Sequence, residues 1–169
     1  MKKLRKWYVK WQMWRGRALD IWSKSPYPAN VLSNLCSNDF CFDGVSCGSM
    51  EGFLQSLKYQ DINRQEQICQ MKGKEAKNMT STLWQTDQIV WWRGVSINRQ
   101  SQDFQDLIRR AYQAMFEQNE QFRTALMSTR GIKLYHVQGE QNPYKTILTE
   151  SEFCAVLTEM RDTYETNPQ

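Results

Sequence analysis

The sequence predicts a mainly α-helical domain with a few short strands, an α+β fold in one compact unit covering residues 1–169. Several segments repeat apolar residues at the helical spacing of three and four positions, whereas the strand-like segments are short and bounded by turn residues. A length of 169 residues allows one ordinary domain and leaves little room for a second. The balance of 40% apolar and 24% charged residues is typical of a globular protein and not of a disordered chain.

The N-terminal segment, residues 1–22, combines seven basic residues with five Trp and Tyr side chains. Trp7, Val9 and Trp11 occupy alternate positions, which predicts a β-strand with a solvated lysine edge. The same mixture of cations and aromatic rings is also typical of a surface that binds nucleic acid, and this alternative stays open. A Ser-Pro-Tyr-Pro stretch at 25–28 then predicts a turn.

A hairpin and three helices are predicted next along the chain. Residues 40–45 indicate a short hairpin with Asp-Gly at its turn. Ser49 is a suitable N-cap for a helix whose apolar residues share one face: Met50, Phe53, Leu54 and Leu57. Asp61 can cap a second helix that ends near Met71, and residues 73–77 predict a third, short one.

The second half of the chain predicts three more helices and a strand. Residues 101–118 have apolar side chains at helical spacing: Phe104, Leu107, Ile108, Ala111 and Met115. A short helix at 122–126 has Gly131 as a natural stop, and residues 132–137 predict a strand. Residues 149–152 (TESE) form the pattern of a capping box ahead of a last amphipathic helix.

Several functional classes are excluded by what the sequence lacks. No apolar run of about 18 residues occurs and none follows the basic start, so neither a membrane span nor a secretory leader is predicted, and we expect a cytoplasmic protein. The five Cys are expected to be free thiols, and His136 is the only histidine, so no metal site is predicted. The sequence has no P-loop or dinucleotide-binding glycine motif, and we expect no cofactor. The net charge of +4 favours an anionic partner.

The helix that begins after Ser49 also carries a polar face. Glu51, Gln55 and Lys58 occupy positions i, i+4 and i+7, so they share one side of the helix next to its apolar side. A Glu in the first helical turn lies near the positive end of the helix dipole and near free backbone amides. This face is either an ordinary solvated one, with Glu51 stabilising the helix start, or a site for acid–base chemistry.

Basic residues and a tryptophan pair elsewhere are candidates for ligand binding. Arg17, Lys74 and Arg99 could bind phosphate groups, although isolated basic residues are more often surface charges. Residues 91–94 (WWRG) could place an indole against a base or ribose, but paired Trp residues also commonly divide between core and rim. The residues alone therefore predict an α-rich domain for an anionic, aromatic ligand.

Several short blocks, in the same order, resemble the YbiA-like, or NADAR, superfamily. Its LSNF segment, its strand ending in Asp-Gly and its E-x-x-x-Q-x-x-K helix are matched by residues 30–35 (NVLSNL), 40–44 (FCFDG) and 48–58 (GSMEGFLQSLK). The later blocks are 73–76 (GKEA), 92–101 (WRGVSINRQS), 114–119 (AMFEQN), 126–129 (LMST) and 146–154 (TILTESEFC). The resemblance covers roughly residues 15–162 and implies a single compact YbiA-like domain.

This resemblance implies an enzyme that cleaves N-glycosidic bonds. One branch of the superfamily hydrolyses ribosylamino-pyrimidine intermediates of riboflavin synthesis, and another removes ADP-ribose from guanine bases in nucleic acid, reversing a DNA ADP-ribosylating toxin. Glu51 and Lys58 are the implied catalytic residues, with Glu51 as the acid. Lys58 either attacks an opened sugar as a free amine, or orients Glu51 or binds a ribose hydroxyl. The expected substrate-binding residues are Arg17, Asn34, Gly48, Ser49, Gln55, Lys74, Trp92, Gly94 and Arg99.

Two departures from the riboflavin branch favour the ADP-ribose branch. The Trp-Gly block of the riboflavin branch is absent, with residues 142–145 (NPYK) near its place, and its acidic residue after the last strand is replaced by His136. We therefore expect a glycosidase whose partner is ADP-ribose or ADP-ribosylated nucleic acid, with no membrane partner. The alternatives are an enzyme for ribosylamino-pyrimidines and a non-catalytic module that binds ADP-ribose or NAD.

Overall fold

The computed structural model describes residues 2–166 as helices and short strands joined by brief turns. Met1 and residues 167–169, which the predicted domain also includes, lie outside the described residues. The elements in chain order are α1 (Lys2–Trp14), β1 (Ala18–Asp20), α2 (Ala29–Leu32), β2 (Phe40–Phe42), β3 (Val45–Cys47), α3 (Met50–Ser56), α4 (Ile62–Cys69), α5 (Gly73–Lys77), α6 (Trp84–Asp87), β4 (Ile89–Trp92), β5 (Val95–Asn98), α7 (Gln102–Gln118), α8 (Glu120–Met127), β6 (Lys133–Tyr135) and α9 (Glu150–Thr166). The predicted fold class, mainly α with a few short strands, is confirmed.

Within residues 2–166, the strands form three separate two-stranded sheets. β1 and β6 pair in parallel, with Leu19 opposite Leu134, whereas β2–β3 and β4–β5 are antiparallel hairpins. Each hairpin turns on two residues with positive φ, at 43–44 and at 93–94, as the favoured two-residue turn requires. The first hairpin confirms the prediction from Asp-Gly. The second has no predicted counterpart, because Arg-Gly is a weaker turn signal.

The predicted helix starts are confirmed by their caps. The Ser49 hydroxyl accepts a hydrogen bond from the backbone N–H of Gly52 at 3.0 Å, and Asp61 caps α4 in the same way. Thr149 and Glu152 form the predicted capping box, because each side chain accepts a hydrogen bond from the other residue's backbone N–H, at 2.8 Å and 3.2 Å. These caps fix where α3, α4 and α9 begin.

The core is centred on α7, which has one wholly buried face. Its buried residues follow the spacing that predicts this helix: Phe104, Leu107, Ile108, Ala111, Tyr112, Met115 and Phe116. The helix packs against α8, α9, β2 and β5. Within the described range, no helix is both long and apolar enough to cross a lipid bilayer.

The strand predicted in the N-terminal segment is wrong, because residues 2–14 form α1. A strand would place Trp7, Val9 and Trp11 on one face, yet Val9 is buried and both Trp side chains are exposed. Trp7 and Trp11 are also four residues apart, which is a helical spacing, and no Gly or Pro interrupts residues 2–14. The predicted basic cluster includes the side chains of Lys2 and Lys3, which lie outside the described part of the chain.

Candidate functional site

The candidate site is a pocket of about 380 Å³ at the carboxyl ends of the parallel strands β1 and β6. Residues that follow β1, β6 and α2 form part of its wall, and side chains from α3, α5 and α9 complete it. The lining residues are Trp22, Ser23, Lys24, Ser33, Asn34, Leu35, Glu51, Lys74, Lys77, His136, Gln138 and Phe153. Three residues from the sequence prediction, Asn34, Glu51 and Lys74, are therefore brought together in one pocket.

Glu51 reaches the pocket because the start of α3 is held in place by backbone contacts. Its backbone N–H donates to the carbonyl of Asn34 at 3.0 Å, and the Ser49 hydroxyl donates to the Met71 carbonyl at 3.1 Å. Gly48 lies so close to α4 that a Cβ there would be 2.4 Å from the carbonyl oxygen of Gln70. Gly48 and Ser49 therefore shape the approach of α3 and do not line the pocket.

The Glu51 carboxylate has a nearby amide donor and a nearby amine. Gln55 Nε2 donates to Glu51 Oε1 at 2.9 Å, as the i, i+4 spacing predicts. Burial lowers the pKa of Lys58, and the negative charge of Glu51 opposes that shift. Lys58 is not among the residues that line the pocket, whereas the Glu51 side chain is.

Asn34 is oriented from behind by a buried tyrosine. The Tyr112 hydroxyl donates to Asn34 Oδ1 at 2.6 Å, and burial raises the pKa of Tyr112 so that the hydroxyl stays protonated. Because Oδ1 takes this hydrogen bond, the Nδ2 donor of the same amide is left for a ligand in the pocket. The predicted binding residue Asn34 therefore offers an N–H group next to Glu51.

His136 forms the opposite wall of the pocket. Its Nδ1 lies 2.7 Å from the Ile21 carbonyl oxygen, and since a carbonyl only accepts, Nδ1 carries a proton and donates it to that oxygen. The ring packs edge-on against Phe153, with centroids 5.5 Å apart. The backbone N–H of His136 donates to the buried carboxylate of Glu150 at 3.1 Å. These contacts fix both the position and the tautomer of His136.

The pocket rim is cationic and carries an exposed indole. Lys24, Lys74 and Lys77 line it, with Lys74 and Lys77 one turn apart on α5. The Lys24 ammonium lies 5.8 Å from the centre of the Trp22 ring. Lysines of this kind attract phosphate groups, and an indole offers a surface for a purine base.

Two arginines predicted to bind substrate lie elsewhere. Arg99 is fully buried, and its guanidinium donates to both carboxylate oxygens of Glu152, at 3.0 Å and 2.6 Å. Its fork is therefore occupied by α9 and is not available to a ligand. Arg17 is exposed, and its backbone bonds to Gln12 and Lys133 at the amino end of β1, away from the strand ends that form the pocket.

Trp92 and Gly94 belong to the β4–β5 hairpin and not to the pocket. The Trp92 ring stacks on Phe42 and meets Phe53 edge-on, with centroids 5.6 Å and 5.1 Å apart, and its Nε1 donates to Asp43 at 2.8 Å. Gly94 has a φ of 82° in the hairpin turn. This agrees with the alternative in which one tryptophan of the pair is buried and the other lies at the edge of the core, since Trp92 is buried and Trp91 is partly exposed.

Sequence reasoning missed most of the wall that β1 and β6 supply. Trp22 and Lys24 follow β1, and His136 and Gln138 follow β6, but β1 has three residues and little hydrophobic alternation. Lys77 had a usable signal, because it lies three residues after the predicted Lys74 on the same short helix. Among the described residues, no group of three His, Cys, Asp or Glu side chains is placed to hold a metal ion.

A larger cavity, of about 610 Å³, is lined by residues of α7, α8 and α9 and by none of the predicted site residues. Its charged residues include Arg109 and Glu159, which pair with each other at 3.6 Å.

Comparisons with known proteins identify the family and the fold of the chain. The family model described as bacteriophage protein GP30.3 matches residues 26–162. The chain belongs to this family. It is also 33% identical over 147 residues to a protein of Enterobacteria phage T4 described as an uncharacterized 17.1 kDa protein in the Gp30–rIII intergenic region, covering 85% of this chain and 97% of that protein.

The fold of this GP30.3-family chain is shared with a solved bacterial protein. The NMR structure of the E. coli protein YbiA superposes with a TM-score of 0.61 and 18% sequence identity, over 89% of this chain and 86% of that one. The predicted YbiA-like fold is therefore confirmed. Together, the phage family and this fold support the resemblance to the YbiA-like, or NADAR, superfamily.

Proposed function

We propose that this protein is an N-glycosidase that removes ADP-ribose from modified guanine bases in nucleic acid, and so reverses DNA ADP-ribosylation. The observation that carries the proposal is the position of Glu51, a carboxylate in a lysine-rimmed pocket with Gln55 as its hydrogen-bond donor and Lys58 nearby. Breaking a bond between ribose C1 and a base nitrogen needs a proton donor for the leaving base, and Glu51 fits that role.

The rim of the pocket fits a nucleoside diphosphate. Lys24, Lys74 and Lys77 supply three positive charges for a pyrophosphate, and Trp22 supplies a flat surface for an adenine or guanine ring. Asn34 Nδ2 is placed to donate to a sugar hydroxyl or a base carbonyl next to Glu51. These groups replace the predicted phosphate sites at Arg17 and Arg99.

Lys58 is the proposed nucleophile. Burial lowers its pKa, which raises the fraction of neutral amine at a given pH. The amine adds to C1 of the ring-opened ribose, the base nitrogen leaves with a proton from Glu51, and water hydrolyses the resulting imine to free ADP-ribose and the amine. Because Lys58 does not line the pocket, this step requires C1 to reach past Glu51 along α3.

The test is release of free ADP-ribose from single-stranded DNA that carries ADP-ribose on guanine. We expect release by the unmodified protein and its loss in Glu51→Gln. Glu120→Gln is the matched control, because Glu120 is also an acidic residue in the first turn of a helix and lies on α8, outside the pocket. Release of a base from a ribosylamino-pyrimidine but not from DNA would assign the other glycosidase activity, and binding of ADP-ribose without any release would assign a non-catalytic module.

A covalent intermediate at Lys58 is testable directly. Mixing the protein and ADP-ribosylated DNA with cyanoborohydride should trap a secondary amine on the peptide that contains Lys58, detected by mass spectrometry. Trapping should increase as the pH rises toward the pKa of Lys58, which lies below its ordinary value, because only the neutral amine reacts. Lys58→Arg keeps the charge and should give no adduct and no turnover. A working Lys58→Arg enzyme without adduct would contradict the covalent route and leave direct attack by water.

A further inference from the structure

We infer that α1 is a binding surface for single-stranded nucleic acid, holding the strand whose base enters the pocket beside Glu51. The identity of that base rests on the proposed function, whereas the surface is argued from α1 alone. The family match begins at residue 26, so α1 lies outside the part of the chain that the family model covers. Whatever α1 binds is therefore not implied by the family match.

α1 exposes a row of indole rings. Trp7, Trp11 and Trp14 occupy positions i, i+4 and i+7 and so share one face, with Trp7 67% and Trp14 83% exposed. Tyr8 extends the row, with its ring centre 6.2 Å from that of Trp11. A contiguous exposed aromatic surface marks a binding site, and flat rings stack on any nucleic-acid base.

The charges around these rings are of one sign. Residues 1–19 contain no Asp or Glu, and Lys6 and Lys10 are exposed on α1 beside the indole row. The Arg15 guanidinium lies over the Trp11 ring at 4.9 Å, and the exposed Arg17 follows. Cations interleaved with aromatic rings complement a strand that alternates phosphates and bases.

The surface is connected to the candidate site. Arg5 on α1 pairs with Glu150, and the same carboxylate oxygen accepts the backbone N–H of His136, which lines the pocket. The N-terminal half of α1 is therefore close to the pocket rim, where the lysines at positions 24, 74 and 77 continue the positive charge. A strand bound along α1 can place one base in the pocket.

A polyanionic strand fits this geometry better than a membrane. Val9 is buried and Arg5 is anchored, so α1 is docked on the protein body in one orientation. A strand of nucleotides can send one base into a polar pocket beside the helix, whereas a bilayer presents a plane of headgroups. The cations and the rings also share one exposed side, which is the arrangement of single-strand binding surfaces.

The test uses an unmodified fluorescent oligothymidylate and the full chain, with binding followed by anisotropy. We expect binding that weakens as the salt concentration rises, since phosphate contacts release counterions. The variant Trp7→Ala with Lys10→Glu should weaken binding by about tenfold or more, from the loss of one stacking ring and one cation. The matched control is Tyr144→Ala with Lys145→Glu, an exposed aromatic and basic pair outside the pocket, with Tyr144 59% exposed.

The outcomes separate this inference from the proposed function. Oligonucleotide binding that Trp7→Ala with Lys10→Glu weakens and that the control pair leaves unchanged supports the surface, even if no ADP-ribose is ever released. Release of ADP-ribose without oligonucleotide binding overturns the surface and leaves the activity standing. Three other results also overturn the surface. They are equal weakening by both variant pairs, binding of anionic phosphatidylserine vesicles in place of the oligonucleotide, and self-association through α1.

Discussion

The start of α3 and the start of α9 each present a carboxylate at a helix N-terminus, yet the two carboxylates differ in how fully they are bonded. Glu152 on α9 accepts from Arg99, Gln105 and Thr149. Within the part of the chain that the structure describes, Glu51 on α3 has one side-chain donor, Gln55. A carboxylate whose lone pairs are taken holds the fold together, whereas one with free lone pairs in a pocket is available for proton transfer.

The largest expected effect is the loss of stability on removing Arg99, the buried partner of Glu152. Arg99→Ala would leave Glu152 without its buried partner, and we expect a loss of about 3–5 kcal/mol in the free energy of unfolding. Urea denaturation measures it. The double variant Arg99→Met with Glu152→Gln should recover part of that loss, because neither charge is then left unpaired and the Gln keeps the cap. An unchanged stability with a raised Kd for ADP-ribose would restore the sequence-based role of Arg99.

Removing the Glu51 carboxylate should lower activity while leaving stability nearly unchanged. Glu51→Gln keeps the shape and the neighbouring hydrogen bond but removes the proton donor, so we expect turnover to fall by about 10²-fold or more. The free energy of unfolding should change little, because few contacts depend on the Glu51 charge. Calorimetric titration with ADP-ribose checks that binding persists. Wild-type turnover in Glu51→Gln would remove Glu51 from the mechanism.

A smaller effect is expected at the residue behind the pocket. Tyr112→Phe removes the hydroxyl that orients Asn34, which should cost about 1 kcal/mol of stability and raise KM more than it lowers kcat. The split between KM and kcat is the informative measurement. If both constants stay unchanged while stability falls, Tyr112 contributes packing alone.

The smallest expected effect is on the pH dependence of stability. Burial raises the pKa of Glu152, but the hydrogen bonds from Arg99 and Thr149 outweigh it and bring the pKa below its ordinary 4.5. The folded state therefore binds fewer protons than the unfolded state, so this stabilisation is present above pH 4.5 and is lost as the pH falls through the lower folded pKa. At acidic pH, the free energy of unfolding should fall more steeply with decreasing pH for wild type than for Arg99→Met with Glu152→Gln. Equal slopes would mean that the pair does not shift this pKa.

The comparison also explains which parts of the molecule the sequence predicts. The structure confirms the predictions that depend on residues a few positions apart. These are the caps at Ser49, Asp61 and Thr149, the Asp-Gly turn and the helical periods. The resemblance also led to Glu51, the pocket carboxylate. What could not be predicted depends on distant partners, such as the pairing of β1 with β6 and the burial of Arg99 against Glu152. For α1, the alternation of large side chains fits two periods, and its packing against β1 decides between them.

The parallel pairing of β1 with β6 has a consequence for how the pocket assembles. β1 begins at Ala18 and its partner ends at Tyr135, so the contact joins segments that lie more than 100 residues apart in the sequence. During synthesis, Trp22 and Lys24 are made more than 100 residues before His136 and Gln138, which line the same pocket. Contacts this distant in sequence form late in folding because closing a long loop is entropically slow. A nascent chain can therefore form the Glu51 helix before the pocket exists, so any chemistry at that carboxylate requires the segment that contains β6 to be in place.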